Sequence, residues 1–123
     1  MKPAMRSTGK RGEELAAVYL QAQGYTILEK NYQLRDGEID LIAKEGNCLC
    51  FVEVKMRTQD EFGDGSEAVD VRKQKRIIKA ATYYLAYTKE PYTEARFDVL
   101  VIMKDPSAAD MCYELFKDAF GAS

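Results

Sequence analysis

Gly37-Glu-Ile-Asp-Leu-Ile42 and Phe51-Val-Glu-Val-Lys-Met-Arg57 decide how this chain is read. Successive residues of a strand point to opposite faces, so residues two apart share one. Glu38 and Asp40 therefore face one way, with Ile39 and Leu41 opposite; Glu53, Lys55 and Arg57 share a face, with Val52, Val54 and Met56 opposite. Between the segments, Glu45-Gly46-Asn47 reads as a tight turn, which makes the two strands hairpin partners. Their charged faces can coincide and gather three carboxylates and a lysine at one end of a sheet. Charges inside an apolar strand are costly unless paired or metal-bound. A lone Glu-x-Lys pair is more often a cross-strand ion pair. An Asp on the neighbouring strand, followed by apolar residues, turns the reading toward catalysis or metal binding.

Working outward, Ser7 or Thr8 is expected to cap a first helix that runs to about Gln23 and stops at Gly24, with residues 1–7 flexible before it. Leu15, Val18, Tyr19 and Ala22 form one stripe at helical spacing; Glu13, Ala16, Ala17 and Leu20 form another. Glu13 thus starts a packed stripe while Glu14 points toward water. Tyr25 to Leu34 reads as a strand, Asp36-Gly37 as a hairpin turn, Glu38 to Lys44 and Cys48 to Arg57 as the next strands of an antiparallel meander. A polar loop from Thr58 to Gly65 reads as an ordinary loop rather than a flap. A long helix starts at Ser66 or Asp70 and ends near Thr88, and Arg96 to Met103 is a buried strand. The helical crossover makes that strand a parallel partner of the meander. Met111 to Phe120 is open between strand and helix.

A chain of 123 residues is one domain, spanning residues 1–123, with one core. Apolar residues make up 46% and charged residues 31%, an ordinary globular balance. No apolar run approaches a membrane span of roughly 20 residues, and the polar start has no secretory core, so no membrane association and a cytoplasmic location are expected. Histidine is absent and there are three cysteines, at 48, 50 and 112. Ser-His and Cys-His catalysis are thereby excluded, and neither a zinc knuckle nor a CxxC pair is present. Hydrolytic chemistry would have to come from carboxylates, lysine or a hard metal ion. Net charge is −2, yet Val71 to Lys89 holds six basic residues and no acidic one. That is either a solvated helix face or a surface for phosphates.

Asp40 followed by Glu53-Val54-Lys55 resembles the signature of the PD-(D/E)XK nuclease superfamily. More closely, the chain resembles the YraN-like family of bacterial proteins. The matching stretches are Gly12-Glu-Glu-Leu-Ala16, Tyr19-Leu20, Gly24-Tyr25, Asn31, Gly37 to Ile42, Phe51 to Lys55 with Arg57, and Arg96-Phe-Asp-Val99. Ile39 stands where the superfamily name has proline. The resemblance implies an α/β restriction-endonuclease-like core of α-β-β-β-α-β order, a mixed sheet flanked by helices. The first helix also resembles that of archaeal Holliday-junction resolvases, in which a helix Glu joins the metal site; Glu13 is the match.

The site expected from residues and resemblance together has Asp40, Glu53, Lys55 and Glu13 as its catalytic group. Asp40, Glu53, the Val54 carbonyl, Glu13 and, less directly, Glu38 would hold Mg²⁺ or Mn²⁺. Lys55 would orient or deprotonate the attacking water. Arg57, Lys73, Gln74 and Arg76 would meet the phosphates of DNA, while Tyr83, Tyr84 and Tyr87 read as core or rim aromatics. A homodimer is implied by resemblance, since small nucleases of this fold often use two sites to cut two strands. Two other readings compete: a non-catalytic nucleic-acid-binding module of the same fold, and a scaffold with an ion-paired sheet.

Overall fold

The computed structural model describes residues 3–58, 69–104 and 111–121, with side chains described from Arg11 onward and that of Thr58 excepted. The elements are α1 (Pro3–Ala22), β1 (Thr26–Gln33), β2 (Glu38–Glu45), β3 (Cys48–Thr58), α2 (Val71–Tyr87), β4 (Glu94–Lys104) and β5 (Met111–Phe120). The five strands form one sheet in the order β1-β2-β3-β4-β5. β1, β2 and β3 are an antiparallel meander, β4 runs parallel to β3 after the α2 crossover, and β5 returns antiparallel to β4. This is a restriction-endonuclease-like α/β core, as expected from the motifs, extended by a fifth strand.

One core was expected, but the sheet divides it into two apolar layers. Leu41, Ala43, Cys50, Val52, Leu100 and Ile102 pack beneath Ala16, Ala17 and Leu20 of α1. Ile42, Leu49, Phe51, Val99 and Val101 pack beneath Ile77, Ala80 and Ala81 of α2. β3 and β4 are buried on both faces, which is why their centres read as continuous apolar runs.

Several local expectations are corrected. α1 starts at Pro3, so Ser7 and Thr8 lie inside it rather than at its cap; proline suits a first helical turn, where its missing N–H has no partner to lose. Only the stripe of Ala16, Ala17 and Leu20 is fully buried; Val18 is 66% exposed and Ala22 is also exposed, because the narrow face of one helix on a sheet needs one stripe. The Asp36-Gly37 hairpin joins β1 to β2 as expected, with Gln33 paired to Glu38, but without a left-handed φ at Gly37, since φ is positive only at Gly24, Asn31, Gly46 and Asp118 among the described residues. A Cβ on Gly37 would stand 2.6 Å from the Arg76 carbonyl oxygen and 3.1 Å from Ala80 Cβ, so its role is to let α2 lie against the start of β2. Gly46, with φ 60°, does make the expected turn.

Asp70 caps α2 by accepting the Lys73 N–H at 2.8 Å, and Thr88 closes it. The Ser66 start and the Gly63–Gly65 loop fall outside the described residues. Met111–Phe120 is a strand with an irregularity opposite Asp98, where Asp118 has φ 54°. The three cysteines are free. Among the described residues, no helix is long and apolar enough to cross a membrane.

Candidate metal centre

The β2–β3 ladder runs from Glu45↔Cys48 to Leu41↔Val52 and stops there. One step further, Asp40 and Glu53 would lie opposite, but the strands part. The Val54 N–H, deprived of a ladder partner, is taken instead by Asp40 Oδ2 at 2.8 Å. A carboxylate is thereby built into a gap between two strands, with one oxygen fixed by the main chain.

Glu53 sits beside it, 3% exposed. Its Oε2 lies 3.6 Å from Lys55 Nζ and 3.6 Å from Lys73 Nζ, the latter brought in by the first turn of α2. Its Oε1 is enclosed with no hydrogen-bond partner among the described residues. Burial and the neighbouring Asp40 charge together outweigh the two lysines and push the Glu53 carboxyl up to about 8.

Glu13 approaches from the α1 side. Gly12 is buried where a Cβ would press on Met56 Sδ at 3.1 Å, so α1 lies close to β3 and carries Glu13 with it. Burial, then the charges of Asp40 and Glu38, push its carboxyl up to about 7. Glu14 is exposed, as expected. Glu38 is drawn toward α2: its Oε1 accepts from Arg76 Nη2 at 2.9 Å and its Oε2 lies 3.8 Å from Lys73 Nζ.

Two helices on opposite faces and two parting strands thus meet at one place. Asp40, Glu53 and Lys55 are brought together, Glu13 comes near Asp40 and Glu38, and Lys73, expected only at phosphates, joins through Glu53. Among the described residues, no group of three or more carboxylates or thiols is gathered tightly enough to hold an ion unaided. Arg57 is half-buried near the end of β3. Gln74 does not point outward: its Nε2 donates to the Val69 carbonyl at 2.9 Å and steadies the head of α2.

A second buried polar cluster escaped the sequence reading except as part of a matching motif. Asp98 is fully buried, and both its oxygens accept from Arg96 Nε at 3.0 Å. Asp98 Oδ1 also accepts the Asp118 N–H at 2.9 Å, which pins the irregularity in β5. Arg96 Nη2 donates to Tyr25 Oη at 2.9 Å and to Glu45 Oε1 at 3.0 Å. The signal was available: Arg96 and Asp98 interrupt a buried strand as Glu53 and Lys55 do, and the same cost argument applies.

A parallel-crossover sheet with its carboxylates and lysine at a strand fork belongs to the restriction-endonuclease-like class. Residues 12–102 match the family described as uncharacterised protein family UPF0102, and the chain belongs to that family. This bears out the YraN-like resemblance of its motifs. A UPF0102 protein of Chlorobaculum parvum is 52% identical over 95 residues, covering 77% of this chain and 74% of the relative. One of Syntrophus aciditrophicus is 47% identical over 113 residues, covering 92% and 87%. One of Clostridium perfringens is 43% identical over 120 residues, covering 98% of each.

Proposed function

We propose that this protein is a metal-dependent endonuclease that hydrolyses phosphodiester bonds of DNA in the cytoplasm, with branched or recombination intermediates among its substrates. The observation that carries the reading is Glu53 Oε1, a carboxylate oxygen shut away from solvent with no hydrogen-bond partner among the described residues. Leaving such an atom unsatisfied costs roughly 1–3 kcal/mol or more. A hard divalent cation is the partner that would satisfy it in the presence of Asp40, because it favours both carboxylates ionised.

Asp40, Glu53 and the Val54 carbonyl would hold Mg²⁺ or Mn²⁺, with Glu13 directly or through water. Glu38, already engaged with Arg76 and Lys73, would join only by giving up those contacts. Such an ion supplies charge neutralisation at the phosphoryl group and a lowered pKa for water. Lys55 Nζ, anchored 3.6 Å from Glu53, orients the attacking water and stabilises charge developing on the phosphoryl oxygens. Lys73, Arg57 and the outer face of Arg76 position the phosphate backbone, with Gln74 in a supporting role. Cutting both strands of a duplex requires two such centres, so a homodimer is part of the proposal.

The non-catalytic binding module is favoured by a different observation: Lys55 and Lys73 already bring positive charge to Glu53 Oε2. The two readings separate on one experiment. Single-stranded, duplex and four-way-junction DNA are incubated with the protein in Mg²⁺ or Mn²⁺. Cleavage that falls by about a hundredfold or more in Lys55→Ala supports the nuclease. Equal cleavage by that variant removes the assigned site, and tight binding without cleavage supports the module.

A further inference from the structure

Arg72, Arg76, Lys79, Tyr83 and Tyr87 recur along α2 at intervals of three or four residues, so they fall in one stripe. α2 carries Arg72, Lys73, Lys75, Arg76 and Lys79 and no acidic residue. Its cations occupy the half nearest Glu38 and Glu53, and its exposed aromatics occupy the other half. Tyr84 turns inward, edge-on to Tyr32 at 5.5 Å and Phe51 at 6.0 Å. Tyr83 and Tyr87 do the opposite. They are 49% and 71% exposed, with ring centroids 4.6 Å apart and planes inclined by 41°.

The chemistry of this ridge changes along its length, and that order selects a partner. At 1.5 Å per residue, Tyr83 lies about 10 Å and Tyr87 about 16 Å beyond Arg76. A strand advancing about 3.4 Å per nucleotide covers that distance in roughly three to five steps. A duplex would present phosphates along the ridge and keep its base faces hidden, so the tyrosines would meet nothing they bind well. It would also depend on cations, two of which are engaged: Arg76 with Glu38 at 2.9 Å and Lys79 with Asp36 at 3.1 Å. An unpaired strand offers phosphates to the first half and open base faces to the second, which suits cations followed by rings.

We infer that the exposed ridge of α2 is a track for an unpaired DNA strand entering or leaving the carboxylate centre, its bases stacking on Tyr83 and Tyr87. The substrate is then a junction of duplex and single strand, such as a flap, an overhang or a splayed fork. This deepens the nuclease reading and rests on it for purpose, but the measurement does not depend on cleavage.

Binding is followed in EDTA by the anisotropy of a labelled single strand of about 15 nucleotides, and of a duplex of the same length. Tyr83→Ala/Tyr87→Ala should weaken single-strand binding by about tenfold or more and duplex binding by less than about twofold, the loss expected of stacking rather than charge. Tyr83→Phe/Tyr87→Phe should bind as wild type does. The chain has no tryptophan, so Tyr87→Trp supplies a sole indole, whose emission should be quenched by the single strand. Unchanged single-strand affinity in the alanine variant, equal loss for both DNA forms, or an unquenched indole overturns the track. A protein that passes these tests and never cuts DNA keeps the track and loses the nuclease reading.

Discussion

The Asp40 carboxylate accepts the Val54 backbone N–H at 2.8 Å, across the point where β2 and β3 separate. Asp40 therefore has a structural duty that needs an acceptor, and on the proposed function a chemical one that needs a charge. Substitutions can separate them. Asp40→Asn keeps an acceptor for Val54 and should leave the urea midpoint near that of wild type, while cleavage falls by about a hundredfold or more. Asp40→Ala orphans the Val54 N–H as well and should lose a further ~1–3 kcal/mol of stability. Equal cleavage by Asp40→Asn and wild type would remove Asp40 from the centre.

Glu53 gives the metal-free protein a distinctive pH response. Its folded-state carboxyl titrates near 8 against an ordinary 4.5, so the folded chain holds this proton more tightly than the unfolded one. The associated stability is present below about pH 4.5 and is lost as pH rises toward about 8. Glu13, raised to about 7, adds a smaller loss in the same direction. Thermal unfolding in EDTA should show Tm falling across that window. Glu53→Gln removes the ionisation and should flatten much of the fall, with a higher Tm than wild type at pH 8. A Tm that rises with pH in both proteins would contradict the assignment.

The same two carboxyls make cation binding a proton-releasing event. With Glu53 near 8 and Glu13 near 7, a fraction of each is protonated at pH 7. Calorimetric titration with Mn²⁺ in buffers of different ionisation enthalpy should report release on the order of one proton at pH 7, declining toward pH 9. Heat that does not depend on the buffer would show that the ion does not displace these protons.

Gly37 sets how near α2 approaches. A methyl at this position would meet the Arg76 carbonyl oxygen at 2.6 Å, a backbone atom that cannot swing away. Gly37→Ala should cost about 1–3 kcal/mol in chemical denaturation. It should also move Lys73 off Glu53, weakening DNA binding in the surviving folded protein. A variant as stable as wild type would mean that α2 is less closely seated than 2.6 Å implies.

Arg96 and Asp98 form a latch on β4, where Asp98 pairs with Val52 next to Glu53. Arg96→Leu leaves a fully buried carboxylate without its cation and should cost about 3 kcal/mol or more. Arg96→Leu/Asp98→Leu should recover part of that loss, because no buried charge is left alone. If the double variant loses, relative to wild type, the full sum of the two single losses, the pairing energy of Arg96 and Asp98 is zero and the latch is wrong.

Most of this architecture was legible where one periodicity prevailed. Phe51 to Arg57 alternates cleanly, and the hairpin that sets Asp40 beside Glu53 followed from the turn between the strands. β2 departs from the expectation, because Ile39 packs on the α2 side and Leu41 on the α1 side. β5 was not legible for a physical reason. Met111, Tyr113 and Leu115 pack on the α1 side, whereas Phe116 and Phe120 pack on the α2 side. With apolar residues on both faces, and an irregularity opposite Asp98 that leaves Ala119 and Phe120 on the same side, the apolar spacing resembles neither a one-faced strand nor a helix. The Asp36-Gly37 turn was legible, but the second demand on Gly37, room for α2, was not, because a glycine required by a neighbouring helix looks the same in sequence as one required by a turn. Lys73 was placed on phosphates because its contact with Glu53 depends on where α2 lands, which no local pattern records. The Arg96–Asp98 latch was not legible because its other partners, Tyr25, Glu45 and the Asp118 N–H, come from distant parts of the chain.

The gap between β2 and β3 also governs when this centre can exist. Glu13, Asp40, Glu53, Lys55 and Lys73 all precede residue 74, yet β3 is flanked on its other side by β4, which follows α2. A growing chain therefore carries every chemical group well before it has the strands that hold β3 in the sheet. The latch on Asp98, closed by the Asp118 N–H, is among the last contacts to be made. On the proposed function, competence would arrive with β5, so a chain lacking it would hold the right side chains without the geometry to use them.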